Sequence, residues 1–477
     1  MNKKLTYQSN SFFDEYITNN SSPRKGFKRS IGFFNSLTGS QKIYFKKLCE
    51  SSISSMGVTF QLNANELKDR LWPLDLIPRI ISLNKWEIVE RGLSQRVKAL
   101  NLFINDVYNK QEFLDKNPVL KDLILDSPNF LSECMGISPK NKVWSNICGT
   151  DLIRNHNGNF FVLEDNLRVP SGVAYMLENR NIMKRVIPEL FNSYEVNPVD
   201  DYPSQLYQCL CDASFSTNQK KTIVVLTPGV FNSAYFEHSY LAQQMGVELV
   251  EASDLYVSRS GNVLMKTING PKKIDVIYRR VDDIYLDPKT WLKNSTLGIP
   301  GIYKSWKRKK IAIVNAPGSG VADDKAVYAY VPKMIKFFLN ERPIISQVKT
   351  YVCAIKKDLD FVVNNIDQLV LKPVNESGGY GILIGPQASK SELKKYKLKI
   401  INNPRNFVAQ PLIKLSTAPT LIGKNIVPRH LDLRPFILSG KKSFVTKGGL
   451  TRVAMKKGST IVNSSQGGGS KDTWIAD

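Results

Sequence analysis

The sequence predicts a mixed fold of the α/β type with α+β character, and three patterns indicate it. In the middle of the chain, short apolar strands alternate with a helical segment at 235–244. After residue 369, strands and glycine-rich turns dominate, interrupted by a lysine-rich helix at 391–398. Between 80 and 115, apolar residues recur every three or four positions, which is typical of helices. Strands that alternate with helices are typical of α/β proteins.

The individual elements follow from local patterns. The first residues are polar and irregular, and a helix is expected from about 39 to 52. Further strands are expected where short apolar runs are bounded by turn residues. These runs lie at 143–147, 152–153, 160–163, 223–226, 247–250, 274–279, 311–315 and 407–413.

The composition indicates a globular protein with a basic surface. The chain has 477 residues, 42% of them hydrophobic, and a formal net charge of +24. Such a charge attracts nucleic acids or other anions. However, the lysines are dispersed, and no aromatic-studded basic stripe or recognised nucleic-acid motif is present. A lysine-rich solvated surface is therefore the favoured interpretation, and a preference for anionic substrates is the second.

No signal-peptide pattern follows Met1, and the apolar runs are too short to cross a bilayer. We therefore expect a cytoplasmic protein that does not enter a membrane. The six cysteines are scattered in the sequence, and the closest pair, Cys209 and Cys211, has a spacing unlike zinc or redox motifs. They are expected to be free thiols.

The most informative segment is a predicted hairpin over 149–166. Asn157-Gly158 between two apolar runs predicts a two-residue turn in which both residues have positive φ. This register places Asp151 opposite Glu164, with Asn166 on the same face because strand side chains repeat every two residues. Facing carboxylates repel unless a cation lies between them, and Mg²⁺ prefers oxygen ligands of this kind. The alternative is an exposed hairpin with solvated acids.

A second informative segment combines a strand lysine, Lys372, with the glycines Gly378, Gly379 and Gly381. Glycines allow backbone N–H groups to approach phosphates, and a lysine on the adjoining strand adds a positive charge. No helix is predicted after this loop. It therefore matches neither the P-loop nor the Rossmann fingerprint.

The last part of the chain contains a further set of candidate nucleotide-binding residues. An apolar strand includes Gln410 and Leu412, and it is followed by Asp432-Leu433-Arg434, by Arg452, and by Asn463 before a glycine cluster. Arginines on strands beside a glycine-rich segment suit triphosphate recognition, because the guanidinium binds phosphate through two hydrogen bonds. Taken singly, each arginine is more often a surface ion-pair partner.

The order of these elements resembles the ATP-grasp ligases. In that superfamily, an Asp and a Glu-x-Asn follow the nucleotide-binding elements and hold Mg²⁺. Here the corresponding residues are Asp151, Glu164 and Asn166, which precede them. The chain therefore resembles the circularly permuted ATP-grasp family (type 2), which also resembles glutathionylspermidine synthetases, and the likeness runs from about residue 56 to the end.

The resemblance implies a circularly permuted ATP-grasp fold, with a helical N-terminal region and an α/β domain on the substrate side. The expected division is an N-terminal extension over 1–75 and a helical region with the metal hairpin over 76–220. A pre-ATP-grasp-like substrate domain over 221–320 and the nucleotide-binding region over 321–477 complete it.

The resemblance also implies roles for individual residues. Lys325 and Lys372 would hold the α- and β-phosphates, under a flexible lid formed by the three glycines. Gln410 and the backbone at Leu412 would border the adenine. Arg434 and Arg452 would face the γ-phosphate or the acyl phosphate. Arg168 would be a further catalytic residue, and Asn463 would belong to the metal shell.

The implied activity is an ATP-dependent carboxylate–amine ligase that uses Mg²⁺, with two ions expected, and forms an acyl phosphate. Its partners would be a small-molecule or peptide carboxylate and an amine, with a homodimer or a partner enzyme also possible. The alternatives are a regulatory or scaffolding protein that binds ATP without ligation and, less favoured, a charge-driven nucleic-acid binder. The candidate substrate residues are Asn232, Glu237, His238, Arg279 and Arg280. For the two arginines, a structural ion pair is the equal alternative.

Overall fold

The computed structural model describes residues 7, 12–60, 70–374, 381–456, 458–459, 462 and 467–477. Its helices are α1 (Lys28–Ser36), α2 (Gly39–Ser55), α3 (Leu83–Val107), α4 (Glu112–Asp115), α5 (Pro118–Leu125), α6 (Val173–Val186), α7 (Pro188–Asn192), α8 (Tyr202–Ala213), α9 (Tyr235–Met245), α10 (Ile302–Lys307), α11 (Lys325–Tyr328), α12 (Val331–Met334), α13 (Lys356–Asn364) and α14 (Lys390–Asn402).

The strands are β1 (Thr59–Phe60), β2 (Arg70–Leu71), β3 (Leu74–Ile81), β4 (Ile147–Arg154), β5 (Phe160–Asn166), β6 (Ile223–Leu226), β7 (Glu248–Val250), β8 (Leu255–Val257), β9 (Val263–Met265), β10 (Lys272–Lys273), β11 (Val276–Arg279), β12 (Ala312–Val314), β13 (Ser346–Gln347), β14 (Tyr351–Val352), β15 (Leu369–Pro373), β16 (Leu383–Ile384), β17 (Phe407–Pro411), β18 (Thr417–Ile422), β19 (Asn425–Arg434), β20 (Phe436–Ser439), β21 (Ser443–Val445), β22 (Leu450–Val453) and β23 (Gly469–Ile475).

The large sheet has the order β13-β5-β4-β19-β22-β23-β3, with β18, β20 and β21 attached. It combines strands from early and late parts of the chain. The hairpin β4–β5 lies beside β19 and β20, and the buried terminal strand β23 runs parallel to β3. Residues that are hundreds of positions apart in the sequence therefore share one sheet face. The four-way division of the chain stays a prediction.

A parallel sheet follows the order β12-β11-β6-β7. Its strands are short, and β6, β11 and β12 are fully buried, as expected for strands covered on both faces, whereas the edge strand β7 is partly exposed. The loops after β6 and β11 leave from the same edge, because the carboxyl ends of neighbouring parallel strands coincide. These loops bring Pro228, Asn232 and Arg280 to the side of the molecule that faces the large sheet.

The small sheet, β14-β17-β15-β16, is antiparallel. It has its own apolar core, in which Val362 of α13 and Ile400 of α14 pack against Leu371 of β15. Val370 pairs with Gln410, so Lys372 lies on the same face as Gln410, one diagonal step along the ladder. The small sheet thus presents a lysine and an amide together.

Most of the predicted elements agree with the structure, and some differ. The strands at 223–226 and 407–413 correspond to β6 and β17, and the helices at 39–52 and 391–398 correspond to α2 and α14. The strand predicted at 143–147 is wrong except at its last residue, where β4 begins. Asn101 accepts the backbone N–H groups of Trp144 and Ser145, which holds this segment as a turn.

In the part of the chain that is described, no helix combines the length and hydrophobicity needed to cross a bilayer. The cysteines are free thiols, as predicted, and Cys211 is the one that is not fully buried.

Candidate active site

The hairpin β4–β5 forms the floor of the candidate site, and its turn differs from the predicted one. Gly158 has a positive φ of +75°, whereas Asn157 does not. The Asn155 N–H donates to the Asn159 carbonyl (3.0 Å), and the Gly158 N–H donates to the Asn155 carbonyl (2.9 Å). The loop therefore contains the three residues 156–158, a common hairpin class with a glycine at the left-handed position.

A β-bulge offsets this longer turn. Leu152 pairs with Val162, and after the irregularity between Asp151 and Leu152, Asp151 pairs with Glu164. The predicted opposition of Asp151 and Glu164 is therefore confirmed, although the turn and the strand each depart from the expected regularity. The extra turn residue shifts the pairing by one position, and the bulge shifts it back by one. A single one-residue shift would turn the side chains to the opposite face of the sheet, but the two together leave Asp151 and Glu164 on the predicted face.

Asp151 is held between two arginines of the large sheet, Arg434 on the neighbouring strand β19 and Arg452 on β22, the strand beyond it. Arg434 donates Nε and Nη2 to its two carboxylate oxygens, at 2.6 and 2.9 Å, and Arg452 donates Nη2 at 2.8 Å. Arg452 also binds Asp432, its cross-strand partner. Burial alone would raise the pKa of the Asp151 carboxyl, but the two guanidiniums outweigh it and keep that pKa below its usual range.

Two lysines, Lys325 and Lys372, lie near Glu164 of the hairpin. Lys325 is the first residue of α11, whose N-terminus is capped by the Asp324 carboxylate, and its Nζ lies 3.6 Å from Glu164 Oε1. Lys372 Nζ donates to Gln410 Oε1 at 2.7 Å. Burial lowers the pKa of the Lys372 ammonium to about 8, although the Glu164 carboxylate partly opposes this. The site thus contains a lysine whose charge is sensitive to its surroundings.

Several of these groups line two adjoining spaces, which together we call the cleft. A cavity of ≈ 420 Å³ extends from Glu164, Lys325 and Arg434 to Asn232 and Arg280. A narrower space beside it is lined by Lys372 and Gln410 and shares Glu164 and Lys325 with the larger cavity. The cleft therefore joins the small sheet, the hairpin and the loops of the parallel sheet.

Arg168 follows the hairpin and is fixed by two acids that our sequence analysis gave no role. Its Nη1 lies 3.1 Å from Asp282, and its Nε lies 3.6 Å from Asp323. Burial raises the pKa of the Asp323 carboxyl to about 7, against the lowering effect of Arg168. Both acids line the cleft. The only sequence pattern that could have pointed to Asp282 and Asp323 is that each is followed directly by a second aspartate, at 283 and 324.

The candidate substrate residues separate into two groups. Asn232 and Arg280 line the cleft, and Arg280 Nε has no hydrogen-bond partner among the described residues although it is buried. Arg279 has a fully buried side chain that binds Asp283 and the Asn315 carbonyl. Both arginines therefore form buried ion pairs, Arg279 with Asp283 and Arg280 with Glu237, but Arg280 is the one that also borders the cleft.

Glu237 and His238 are buried behind the cleft. Glu237 accepts the N–H groups of Gly172 and Ala174 at the start of α6, and it pairs with Arg280 at 3.0 Å. The His238 ring bonds to Thr227 Oγ1 at 2.9 Å, and burial lowers its pKa to about 2. These side chains support the site from behind and do not line the cleft.

The remaining predicted residues are less informative. Gly378, Gly379 and Asn463 lie outside the described residues. Gly381 has a positive φ of +66°, and Leu412 follows β17 with a partly exposed side chain.

The hairpin residues suit Mg²⁺ by their donor chemistry. Among the described residues, no group of three or more His, Cys, Asp or Glu side chains has the spacing of a metal site. Mg²⁺, however, is commonly held by one or two carboxylates together with the phosphates of a substrate. Asp151 and Glu164 provide two carboxylates on one face, and Asn166 lies two residues further along it.

Comparison with known proteins identifies the family and the fold of the chain. A family model described as "Circularly permuted ATP-grasp type 2" matches residues 78–454. An uncharacterised Synechocystis protein is 46% identical over 472 residues, covering 98% of both chains. A Frankia casuarinae protein, provisionally named a glutamate–cysteine ligase, is 40% identical over 429 residues, which are 89% of this chain and 49% of that protein.

Among solved structures, a glutathione synthetase-like effector from Globodera pallida has a TM-score of 0.61 at 11% sequence identity. The match covers 92% of this chain and 98% of the effector. At this identity, the likeness concerns the fold alone. The expected mixed α/β architecture is thereby confirmed.

Proposed function

The chain belongs to the circularly permuted ATP-grasp type 2 family, and on this premise we propose an ATP- and Mg²⁺-dependent ligase that joins a carboxylate to an amine. The reaction proceeds through an acyl phosphate in this proposal. The observation that carries it is the cleft, in which the space beside Lys372 and Lys325 adjoins the cavity that reaches Arg434, Asn232 and Arg280. Phosphate-binding cations and a substrate-sized space are thus adjacent.

We assign the phosphates to the end of the cleft beside the small sheet. Lys372 and Lys325 supply two positive charges that converge on Glu164. Bound Mg²⁺, held by Asp151, Glu164 and Asn166, would neutralise phosphate charge and leave phosphorus open to attack. Gln410 would then lie nearest the adenine, where its side chain is already oriented by Lys372 and Thr350.

The two arginines of the large sheet receive different roles in this proposal. Arg434 lines the cleft, so its guanidinium can contact the transferred phosphoryl group. Arg452 lies deeper, tied to Asp151 and Asp432, and so positions Asp151 and Arg434. Preorganised cations of this kind stabilise charge in a transition state without having to reorient.

The carboxylate substrate is assigned to the part of the cleft near Arg168 and Arg280. Both arginines border this part of the cleft, where their positive charges attract a carboxylate. A charge-assisted hydrogen bond to a carboxylate is stronger than a neutral one. Glu237 and the Pro170 carbonyl hold the terminal nitrogens of Arg280, which fixes its guanidinium in place.

The test is the release of ADP with pairs of substrates. Purified protein with ATP and MgCl₂ would be screened against amino acids and short peptides as carboxylates, each with and without amines. Glutamate and cysteine enter first because of the Frankia relative's name. We expect ADP release that requires a carboxylate, and an amide product when an amine is added. ATP binding without substrate-dependent ADP release in any pair would favour the non-ligating alternative.

The metal role predicts a specific effect of Glu164→Gln. This change removes one charge from a partly exposed side chain and leaves Asp151 with its arginines. We expect Mg²⁺-dependent ATP binding to weaken about 10- to 100-fold, with the midpoint of thermal unfolding nearly unchanged. Titration calorimetry with and without MgCl₂ measures this effect. Equal Mg²⁺ dependence in the variant and the wild type would contradict the assignment.

The lowered pKa of Lys372 predicts a pH dependence of ATP binding. The ammonium is charged below about pH 8 and loses its charge as the pH rises above that value. ATP affinity should therefore fall between pH 7.5 and 9.5, and binding should take up a proton at the upper end. In Lys372→Arg, whose guanidinium stays charged, the dependence should be flatter. Dissociation constants at several pH values, measured for both proteins, provide the check.

A further inference from the structure

A second cavity of ≈ 530 Å³ lies beside the cleft, and the proposed chemistry does not account for it. It is bordered by α6 and α9, and Asn232 lines both this cavity and the cleft. The two cavities therefore adjoin at Asn232.

The wall contributed by α9 is aromatic. Tyr235, Phe236, Ser239 and Tyr240 lie on one face of the helix, because positions three to five residues apart are neighbours there. The rings of Phe236 and Tyr240 are 5.8 Å apart. Aromatic faces of this kind attract cations.

The opposite wall contains a buried carboxylate. Glu178 of α6 is only 4% exposed, and its Oε1 accepts a hydrogen bond from Asn181 at 3.2 Å. Its Oε2 has no close, well-aligned donor among the described residues, and the Tyr240 hydroxyl lies beside the carboxyl as a looser hydrogen-bond partner. Burial, the Glu178 charge and this hydrogen bond raise the pKa of that tyrosine. Buried charges are normally paired, and no lysine or arginine among the described lining residues balances this one, so a bound cation would supply the counter-charge.

The charge of the lining is also unusual for this chain. The described residues that line the second cavity include Glu178 and no lysine or arginine, although the whole chain carries a net charge of +24. By contrast, the larger cavity of the cleft is lined by both signs of charge, with Arg168, Arg280, Lys325 and Arg434 against Glu164, Asp165, Asp282 and Asp323. Among the described lining residues, the second cavity therefore differs in carrying negative charge alone, which favours cations.

We propose that the second cavity binds an ammonium group that the amine substrate carries at a distance from its reacting nitrogen. Glu178 provides the counter-charge, and Tyr235, Phe236 and Tyr240 provide the aromatic faces. This inference rests on the proposed ligase function, which it deepens by making the acceptor a diamine or a similarly charged amine. Asn232 lies at the junction, between the reacting nitrogen and the distant charge.

Direct binding tests the cavity independently of ligation. Butylammonium and its neutral counterpart 1-butanol would be titrated against the full chain without nucleotide and followed by ligand-observed NMR. We expect butylammonium to bind at least ten-fold more tightly than 1-butanol. Glu178→Gln should remove at least ten-fold of this affinity, with ATP binding within two-fold of wild type. Glu248→Gln, which changes an exposed acid of β7, is the matched control.

Equal binding of butylammonium by wild type and Glu178→Gln overturns the inference, and so does equal binding of the alcohol and the ammonium. Should Glu178→Gln fail to fold, Tyr235→Leu replaces it, because that side chain is partly exposed. A several-fold loss of butylammonium binding is expected there. Unchanged binding again overturns the inference.

Kinetics separate this inference from the ligase proposal. With 1,4-diaminobutane as acceptor, Glu178→Gln should raise KM at least ten-fold and leave kcat within about two-fold, while butylamine should show a smaller change in KM. Butylammonium binding that depends on Glu178, without ADP release in any substrate pair, would contradict the ligase proposal and leave the inference of a cation site standing. Ligation of diamines that is indifferent to Glu178 would contradict this inference alone.

Discussion

Lys372→Ala is expected to weaken ATP binding about 100-fold, because the change removes a cation from a partly buried position where its hydrogen bonds to phosphate are strong. A hydrogen bond to a charged group contributes about 1.5–3 kcal/mol, and low polarity increases this contribution. Lys372 lies at the narrow end of the cleft, with Glu164, Lys325 and Gln410 around it. Isothermal titration calorimetry with ATP and MgCl₂ measures the loss.

Unfolding does not explain this loss, because the charged lysine opposes folding in the absence of nucleotide. Burial lowers its pKa in the folded protein, so the protonated form is less stable there than in the unfolded chain. This destabilisation is fully present below about pH 8 and disappears as the pH rises past the ordinary lysine pKa. At pH 7, Lys372→Ala should therefore unfold at a temperature no lower than wild type.

Lys356→Ala is the matched control for Lys372. Its side chain is 83% exposed on α13, beside the same small sheet, and within the described part of the chain its ion-pair partner is Asp360. We expect its ATP affinity to equal that of wild type within two-fold. If Lys372→Ala also stays within two-fold, the assignment of the phosphates to this end of the cleft is wrong.

Asp151→Ala should lower the free energy of unfolding by about 3–5 kcal/mol, the range expected when one partner of a buried ion pair is removed. Asp151 is 3% exposed and accepts three hydrogen bonds from Arg434 and Arg452. Without it, the buried guanidinium of Arg452 keeps Asp432, and the partly buried guanidinium of Arg434 loses its paired carboxylate. Urea denaturation followed by circular dichroism provides the measurement.

Asp360→Ala removes an exposed ion pair and serves as the comparison. Its Lys356 partner lies 2.9 Å away at the surface, where such pairs contribute about 0–1 kcal/mol. The effect of Asp151→Ala should also shrink in an Arg434→Met background, because one uncompensated charge is then absent. A denaturation midpoint for Asp151→Ala that equals that of wild type would show that the carboxylate–arginine cluster does not support the fold.

Local patterns predicted several elements well. Ile223–Leu226 was identified as a buried strand because four apolar residues end at a turn sequence. The helix Lys390–Asn402 was identified through its lysine-rich composition, and the Ser389–Glu392 capping box marks its start. The buried helix Val173–Val186 was not identified. Its polar residues Glu178, Asn179 and Arg180 are buried against other parts of the fold, and they interrupt the three-to-four-residue spacing of apolar residues that predicts a helix.

For the candidate site, the sequence determined which residues oppose each other across the hairpin and which family the chain resembles. Only the tertiary structure decided what those residues touch. Arg434 and Arg452 bind Asp151 across 283 and 301 positions of sequence, and Glu237 is buried behind Arg280. Hairpin register depends on neighbouring residues and on the two-residue repeat of a strand, which are readable locally. Contacts between strands that are far apart in the sequence depend on the order of strands in the sheet and on burial, and no local sequence pattern contains this information.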